Sequence, residues 1–150
     1  SFLIYISPVK GANINAIPHP SPDEFFELNY PDFNILLVED EDSVRMFGAH
    51  ALRDFGFNVM DVRTAEEALE TIAQNSKKID LLITDITLGS MDGYSLARLV
   101  KQELPDLKIV ITSGYDQSTV ANIEIENSLF LSKPYTLKEL VTIAIRALKD

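Results

Sequence analysis

Five short runs of apolar, mostly branched residues recur along the chain: Asn34 to Val38, Asn58 to Val62, Leu81 to Thr84, Lys108 to Thr112 and Leu129 to Ser132. They are largely continuous rather than alternating, the pattern of strands in a parallel sheet covered on both faces. Helical patterns lie between them. After Asp42, the residues Val44, Phe47, Ala51, Leu52 and Phe55 share one face, and Gly56 ends the pattern. Thr64 and Glu67 form a capping box before Ala65, Ala68, Leu69 and Ile72. Asp92 and Gly93 open a third helix carrying Leu96, Leu99 and Val100, which stops before Pro105. A weaker pattern runs from Gln117 to Glu126. The last helix has a capping box, Thr136 and Glu139, and a stripe of Leu137, Leu140, Val141, Ala144, Ile145 and Leu148. Strand and helix alternate five times, which predicts a doubly wound α/β fold with helices on both faces of a five-stranded parallel sheet.

The first 33 residues read differently. Five of the seven prolines fall there, interleaved with Gly11, Asn13 and Asn15 and without helical periodicity, which is linker composition. We therefore expect a linker over 1–33 and one folded domain over 34–150. The overall composition, 46% hydrophobic and 24% charged, is that of a chain with a packed core. The net charge of −10 repels nucleic acid phosphates and anionic lipid, which speaks against direct binding to either. No apolar run approaches the length of a membrane span, and Phe2 to Ile6 is too short, with no basic residue before it, for a signal peptide. Cysteine is absent, so disulfides, zinc-thiolate sites and thiol nucleophiles are excluded, in keeping with a cytoplasmic location. Ser1 in place of Met points to a fragment or trimmed product.

In a doubly wound sheet, ligands bind outside the carboxyl ends of the strands. The first strand exits into Glu39, Asp40, Glu41 and Asp42, the third into Asp85, the fourth into Thr112 and Ser113, and the fifth into Lys133 and Pro134. The first and third strands lie close in either common strand order, which brings Asp40 towards Asp85. Gathered carboxylates either raise a pKa or bind a cation. Oxygen-only ligands that leave room for water and a phosphate suit Mg²⁺ better than Ca²⁺. With Lys133 and a hydroxyl alongside, such a site is suited to handling a phosphoryl group. Taken singly, the same residues have ordinary explanations: an acidic run favours the first turn of a helix, and an Asp ending a strand is a common turn residue.

In order and spacing these features resemble the receiver domain of two-component response regulators, over all of 34–150. The resemblance rests on ILLV followed by Glu39 and Asp40, LLITD ending in Asp85, MDG at Met91 to Gly93, the threonine of IVITSG, and Lys133-Pro134. It implies a flavodoxin-like strand order of 2-1-3-4-5. It further implies that Asp85 accepts a phosphoryl group from phosphohistidine or a small acyl phosphate. Asp40, Asp85 and the backbone carbonyl of Thr87 would ligate Mg²⁺, and Glu39 would act mainly through water. Lys133 would pair with a phosphoryl oxygen, and Thr112 and Phe130 would form the switch. The Lys133–Pro134 peptide is usually cis in this family. Two positions depart from the pattern: Gly89 stands where proline is common, and Gly114 offers no side chain two residues past Thr112.

A second resemblance concerns residues 1–9, where FLIYISP looks like the last strand of a histidine kinase ATP-binding domain. With the linker, the layout resembles a hybrid histidine kinase. TSGY at Thr112 to Tyr115 and the VEDED run are similar to receivers of cell-cycle hybrid kinases. The implied partner is a histidine phosphotransferase or a kinase phosphodonor domain, docking near the first helix. A rival reading is a pseudo-receiver, a protein-interaction module that is not phosphorylated; the intact Asp40, Asp85, Thr112 and Lys133 set argues against it. A phosphohydrolase of related topology would want a second aspartate two residues past Asp85, where Thr87 stands. His50 lacks the acidic residue and proline that follow a kinase phosphoacceptor, and His19 lies in the linker. There is no GxGxxG, P-loop or serine nucleophile elbow.

Overall fold

The computed structural model describes residues 33–75, 78–88, 91–114 and 128–149. Five strands, β1 (Asn34–Val38), β2 (Asn58–Val62), β3 (Leu81–Asp85), β4 (Lys108–Ser113) and β5 (Ser128–Ser132), form one parallel sheet in the order β2-β1-β3-β4-β5. This is the flavodoxin-like arrangement expected above. Four helices are described: α1 (Asp42–Phe55), α2 (Ala65–Asn75), α3 (Gly93–Glu103) and α4 (Leu137–Lys149). The pattern between Gln117 and Glu126, the segment 1–32 and Gly89 lie outside the described residues.

The continuous apolar strands make sense once both faces are covered. Along β1, Ile35 and Leu37 pack with Leu52 of α1 and Leu140 and Ala144 of α4. Leu36 and Val38 face the other way, with Ala68 and Ile72 of α2 and Leu96 of α3. These four of the five β1 residues are essentially inaccessible to water, and burying a side chain of this size contributes about 1.5–3 kcal/mol. Phe33 packs against the α1–α4 layer, and its carbonyl accepts from the backbone of Asn58.

Helix ends follow the local chemistry. Gly56 caps α1 at φ 117°, a left-handed conformation that favours glycine, and its N–H bonds back to the carbonyl of Arg53. The Asp92 side chain accepts from Ser95 N at 2.6 Å to start α3. At α4 the capping box is complete, with Glu139 N to Thr136 Oγ1 at 3.1 Å and Thr136 N to Glu139 Oε1 at 2.8 Å. At α2 it is modified: Thr64 Oγ1 accepts from Glu67 N, but the Glu67 carboxylate reaches one residue further back, to Arg63 N.

The predicted apolar stripes are only partly buried. Phe47, Leu99 and Leu137 are 44%, 41% and 46% exposed. In α1 the sheet is met instead by Gly48, Ala49, Ala51 and Leu52. A Cβ on Gly48 would come within 3.2 Å of Leu37 Cδ2, so the small residue permits the close approach and Phe47 is left at the rim.

Candidate functional site

The sheet's strand order reverses at β1, leaving a crevice above the carboxyl ends of β1 and β3. Register fills it. Val38 pairs with Thr84, so Glu39 and Asp85 emerge side by side, and Asp85 pairs in turn with Thr112 of β4. Ser113 pairs with Ser132, and Lys133 N donates to the Ser113 carbonyl at 2.7 Å, setting the lysine at the same end. The Lys133–Pro134 peptide is cis.

Carboxylate oxygens of Glu39, Asp40 and Asp85 lie within 4.8 Å of one another. Lys133 Nζ reaches Glu39 Oε1 at 2.8 Å and Asp85 Oδ2 at 3.0 Å. The other Asp85 oxygen accepts from Thr87 N at 3.3 Å, and Glu39 Oε2 accepts from Glu41 N at 3.1 Å. Lys133 thus bonds two of the three clustered carboxylates, which leaves the cluster with an excess of negative charge. Burial pushes the Glu39 carboxyl above its ordinary pKa; the bond from Lys133 opposes that push, and the Asp85 charge adds to it. Burial disfavours the Lys133 ammonium, but the hydrogen bonds to Glu39 and Asp85 outweigh it and hold the pKa above its usual value.

The acidic run that looks uniform in sequence is therefore divided. Glu39 is buried, whereas Asp40, Glu41 and Asp42 are exposed. Asp42 pairs instead with Arg45 and Arg63, and a hydrogen bond from Arg45, aided by the charge of Arg63, lowers its pKa. Asp42 is the part that behaves as an acidic first turn; Glu39 and Asp40 belong to the cluster.

Of the residues singled out from sequence, Glu39, Asp40, Asp85 and Lys133 converge directly. Thr112 is buried beside Asp85 in the ladder. Phe130 stands apart, half-buried on β5 opposite Ile111. His50 faces solvent on α1, 3.7 Å from Asp54. Gly114 lines the cleft with open space where a Cβ would be.

Three shaping residues had not been singled out for the site. Gly93, noted only as a helix opener and part of MDG, packs so closely under β3 that a Cβ would lie 1.9 Å from the Asp85 carbonyl oxygen. Tyr135 and Phe47 form one wall of a cleft of about 820 Å³ that reaches Asp85, Thr87 and Lys133, their ring centroids 6.3 Å apart. Their sequence signals were faint: a tyrosine two residues past Lys133, and an aromatic residue on a stripe that reads as core.

The donor set fits a divalent cation, with oxygen ligands only, three carboxylates and, among the described residues, Lys133 as the one ammonium bonded to them. Among the described residues no helix is long and apolar enough to cross a membrane.

Comparison with known proteins agrees with this geometry. The model of the response regulator receiver domain matches residues 35–145. The chain is 38% identical over 110 residues to the sensor kinase CckA of Brucella abortus, covering 72% of this chain but 12% of that protein. It is 34% identical over 110 residues to the response regulator receiver protein CpdR of the same organism, covering 71% of this chain and 89% of CpdR. Of NtrX from Azorhizobium caulinodans, at 35% identity and 77% of this chain, it spans 26%. A receiver protein from Sinorhizobium medicae superposes with a TM-score of 0.72 at 30% identity, covering 78% of this chain and 94% of that one. The receiver domain of the hybrid histidine kinase CckA gives 0.68 at 34% identity, covering 77% and 98%. The chain belongs to the response regulator receiver domain family.

Proposed function

We propose that this receiver takes a phosphoryl group onto Asp85 in a Mg²⁺-dependent reaction and thereby changes the surface it offers a partner. The observation that carries the reading is the cluster of Glu39, Asp40 and Asp85 against the single Lys133 ammonium. A carboxylate oxygen of Asp85 attacks the phosphorus of phosphohistidine on a donor protein; the P–N bond breaks, and the imidazole leaves with the electron pair and takes a proton from solvent. The product is an aspartyl phosphate. Asp40, Asp85 and the Thr87 carbonyl would hold the metal, with Glu39 acting mainly through water. A bound Mg²⁺ supplies neutralisation of charge on the transferring phosphoryl group.

Lys133 exchanges a carboxylate oxygen for a phosphoryl oxygen, and Thr112 hydrogen-bonds the same group. Phe130 follows Thr112 inward, so that the phosphate biases two pre-existing states. The donor is a histidine phosphotransferase or a kinase phosphodonor domain; exposed Phe47 of α1, which lines the cleft, and exposed Met46 next to it in the chain offer it an apolar landing.

We further infer a hybrid histidine kinase as the parent protein, cytoplasmic at this domain, with 1–33 as linker and 1–9 as the last kinase strand. Similarity to both CckA sequence and CckA receiver structure supports this. The test is intact mass after incubation with acetyl phosphate. One Mg²⁺-dependent phosphoryl adduct is expected on the wild type and none on Asp85→Asn. No adduct on the wild type, with no stabilisation by beryllofluoride, would replace this reading with the non-phosphorylated interaction module.

A further inference from the structure

Arg45 of α1 is 12% exposed and makes contacts that neither helix propensity nor surface solvation explains. Its Nη1 donates to the Glu39 backbone carbonyl at 3.2 Å and pairs with Asp42 Oδ1 at 2.8 Å. Its Nε bonds to Asp61 Oδ2 on the edge strand β2 at 3.2 Å. Asp61 is itself held by Arg53, Nη2 to Oδ1 at 2.8 Å, and Arg53 also bonds to the Val59 carbonyl. On its other side the Glu39 main chain is tied to β2 through Glu39 N to Val62 O at 3.1 Å.

The carbonyl gripped by Arg45 belongs to the peptide joining Glu39 to Asp40. Its plane sets the direction in which two of the three clustered carboxylates leave the chain, one into the buried pocket and the other to the exposed rim. A planar guanidinium with several donors in a fixed fork suits this task; a flexible ammonium does not.

We propose that Arg45, fixed by Asp61, is a positioning residue that holds the Glu39–Asp40 peptide so that both carboxylates are preset for a divalent cation. The proposal rests on the Mg²⁺ reading of the cluster. It also makes a prediction of unusual sign. A positive charge beside a cation site repels the cation, so if Arg45 acted only by its charge, removing it would tighten binding. If it acts by positioning, removing it loosens binding.

Titration of the full 150-residue chain with Mg²⁺ by calorimetry, and with Mn²⁺ by electron paramagnetic resonance, separates the two. Arg45→Lys keeps the charge and loses the fork; it should weaken the metal about tenfold, the lower range for partners that orient metal ligands. Arg45→Gln should weaken it at least as much. Asp61→Asn leaves Arg45 held by Asp42 but without its charged anchor on β2, and should give a smaller loss in the same direction; if the Arg45 variants do not fold, unchanged affinity in Asp61→Asn overturns the positioning role. Labelling by acetyl phosphate should recover in each variant at saturating Mg²⁺. Unchanged affinity in Arg45→Lys, or tighter binding in Arg45→Gln, would overturn the positioning role while leaving the metal reading intact. A wild type that takes up neither ion would overturn both.

Discussion

Strand β3 carries an aspartate at each end, and the two lead different lives. Asp80, just before the strand, accepts from Asn34 N at 2.7 Å and donates its own N–H to the Asn34 carbonyl at 2.8 Å. It staples the start of β3 to the start of β1, using a neutral donor. Asp85, the last residue of the same strand, meets Glu39, Asp40 and Lys133. The difference comes from the sheet, since parallel strands bring all their exits, and hence all the loops between strand and helix, to one end. At that end carboxylates collect; at the other a carboxylate meets backbone.

The comparison breaks most violently if the exit of β3 is moved and its entrance is left alone. Gly93→Ala does this, because the added Cβ would sit 1.9 Å from the Asp85 carbonyl oxygen and 3.0 Å from Ile86 Cα. Both are backbone atoms, which cannot rotate away. We expect a loss of about 3 kcal/mol, the upper part of the usual range for overpacking. A urea denaturation midpoint measures it, and a loss below about 0.5 kcal/mol, the range of an uneventful surface change, would mean that the packing of α3 under Asp85 is loose.

A milder pair of substitutions sets the two aspartates directly against each other. Asp80→Ala removes the acceptor for a half-buried backbone N–H and should cost about 1–2 kcal/mol. Asp85→Asn should instead raise stability in the absence of divalent metal, by about 1 kcal/mol. It removes repulsion from two carboxylates and gives up attraction to one ammonium. Opposite signs in urea denaturation without metal sustain the contrast. A clear loss of stability in Asp85→Asn would mean that Lys133 balances the cluster and that the exit end is as settled as the entrance.

How far this was legible beforehand depended on how local the cause was. β1 and β2 have the bounds read from the apolar runs: β1 is covered on both faces, whereas β2 is an edge strand with no fully buried residue, and its bounds follow its ladder with β1. β3 and β4 each extend one residue further, to Asp85 and Ser113, because ladder hydrogen bonds are made by backbone and carry on through polar side chains. The exposure of Phe47, Leu99 and Leu137 could not be read, since periodicity places residues on a stripe without saying how much of the stripe is covered. Gly48 was invisible for the converse reason: its contribution is the room it leaves for Leu37 and Tyr135. At the site, the meeting of Asp40 with Asp85 followed from strand order alone. The separation of Glu39 from Asp42 did not, because it depends on Lys133 reaching back from the far side of the sheet and on Arg45 and Arg63 claiming the other end of the run.

The smallest effect offers the finest comparison, and Tyr135 reports it. Burial above all, with the charges of Glu39 and Asp85 acting the same way and Lys133 partly offsetting them, raises its phenol to about 12. The folded-state pKa lies above the ordinary value of 10, so the neutral phenol favours the fold below pH 10. That contribution is lost as pH rises from 10 through about 12. In a spectrophotometric titration Tyr135 should contribute to the last part of the tyrosinate rise, and Tyr135→Phe should remove that part. Asp85→Asn takes away one of the charges acting on the phenol and should move the step to lower pH. Asp80→Ala, at the far end of β3, should leave it in place. Equal movement in both variants would mean that Tyr135 responds to a general loosening of the fold and not to the charge gathered at the strand exits.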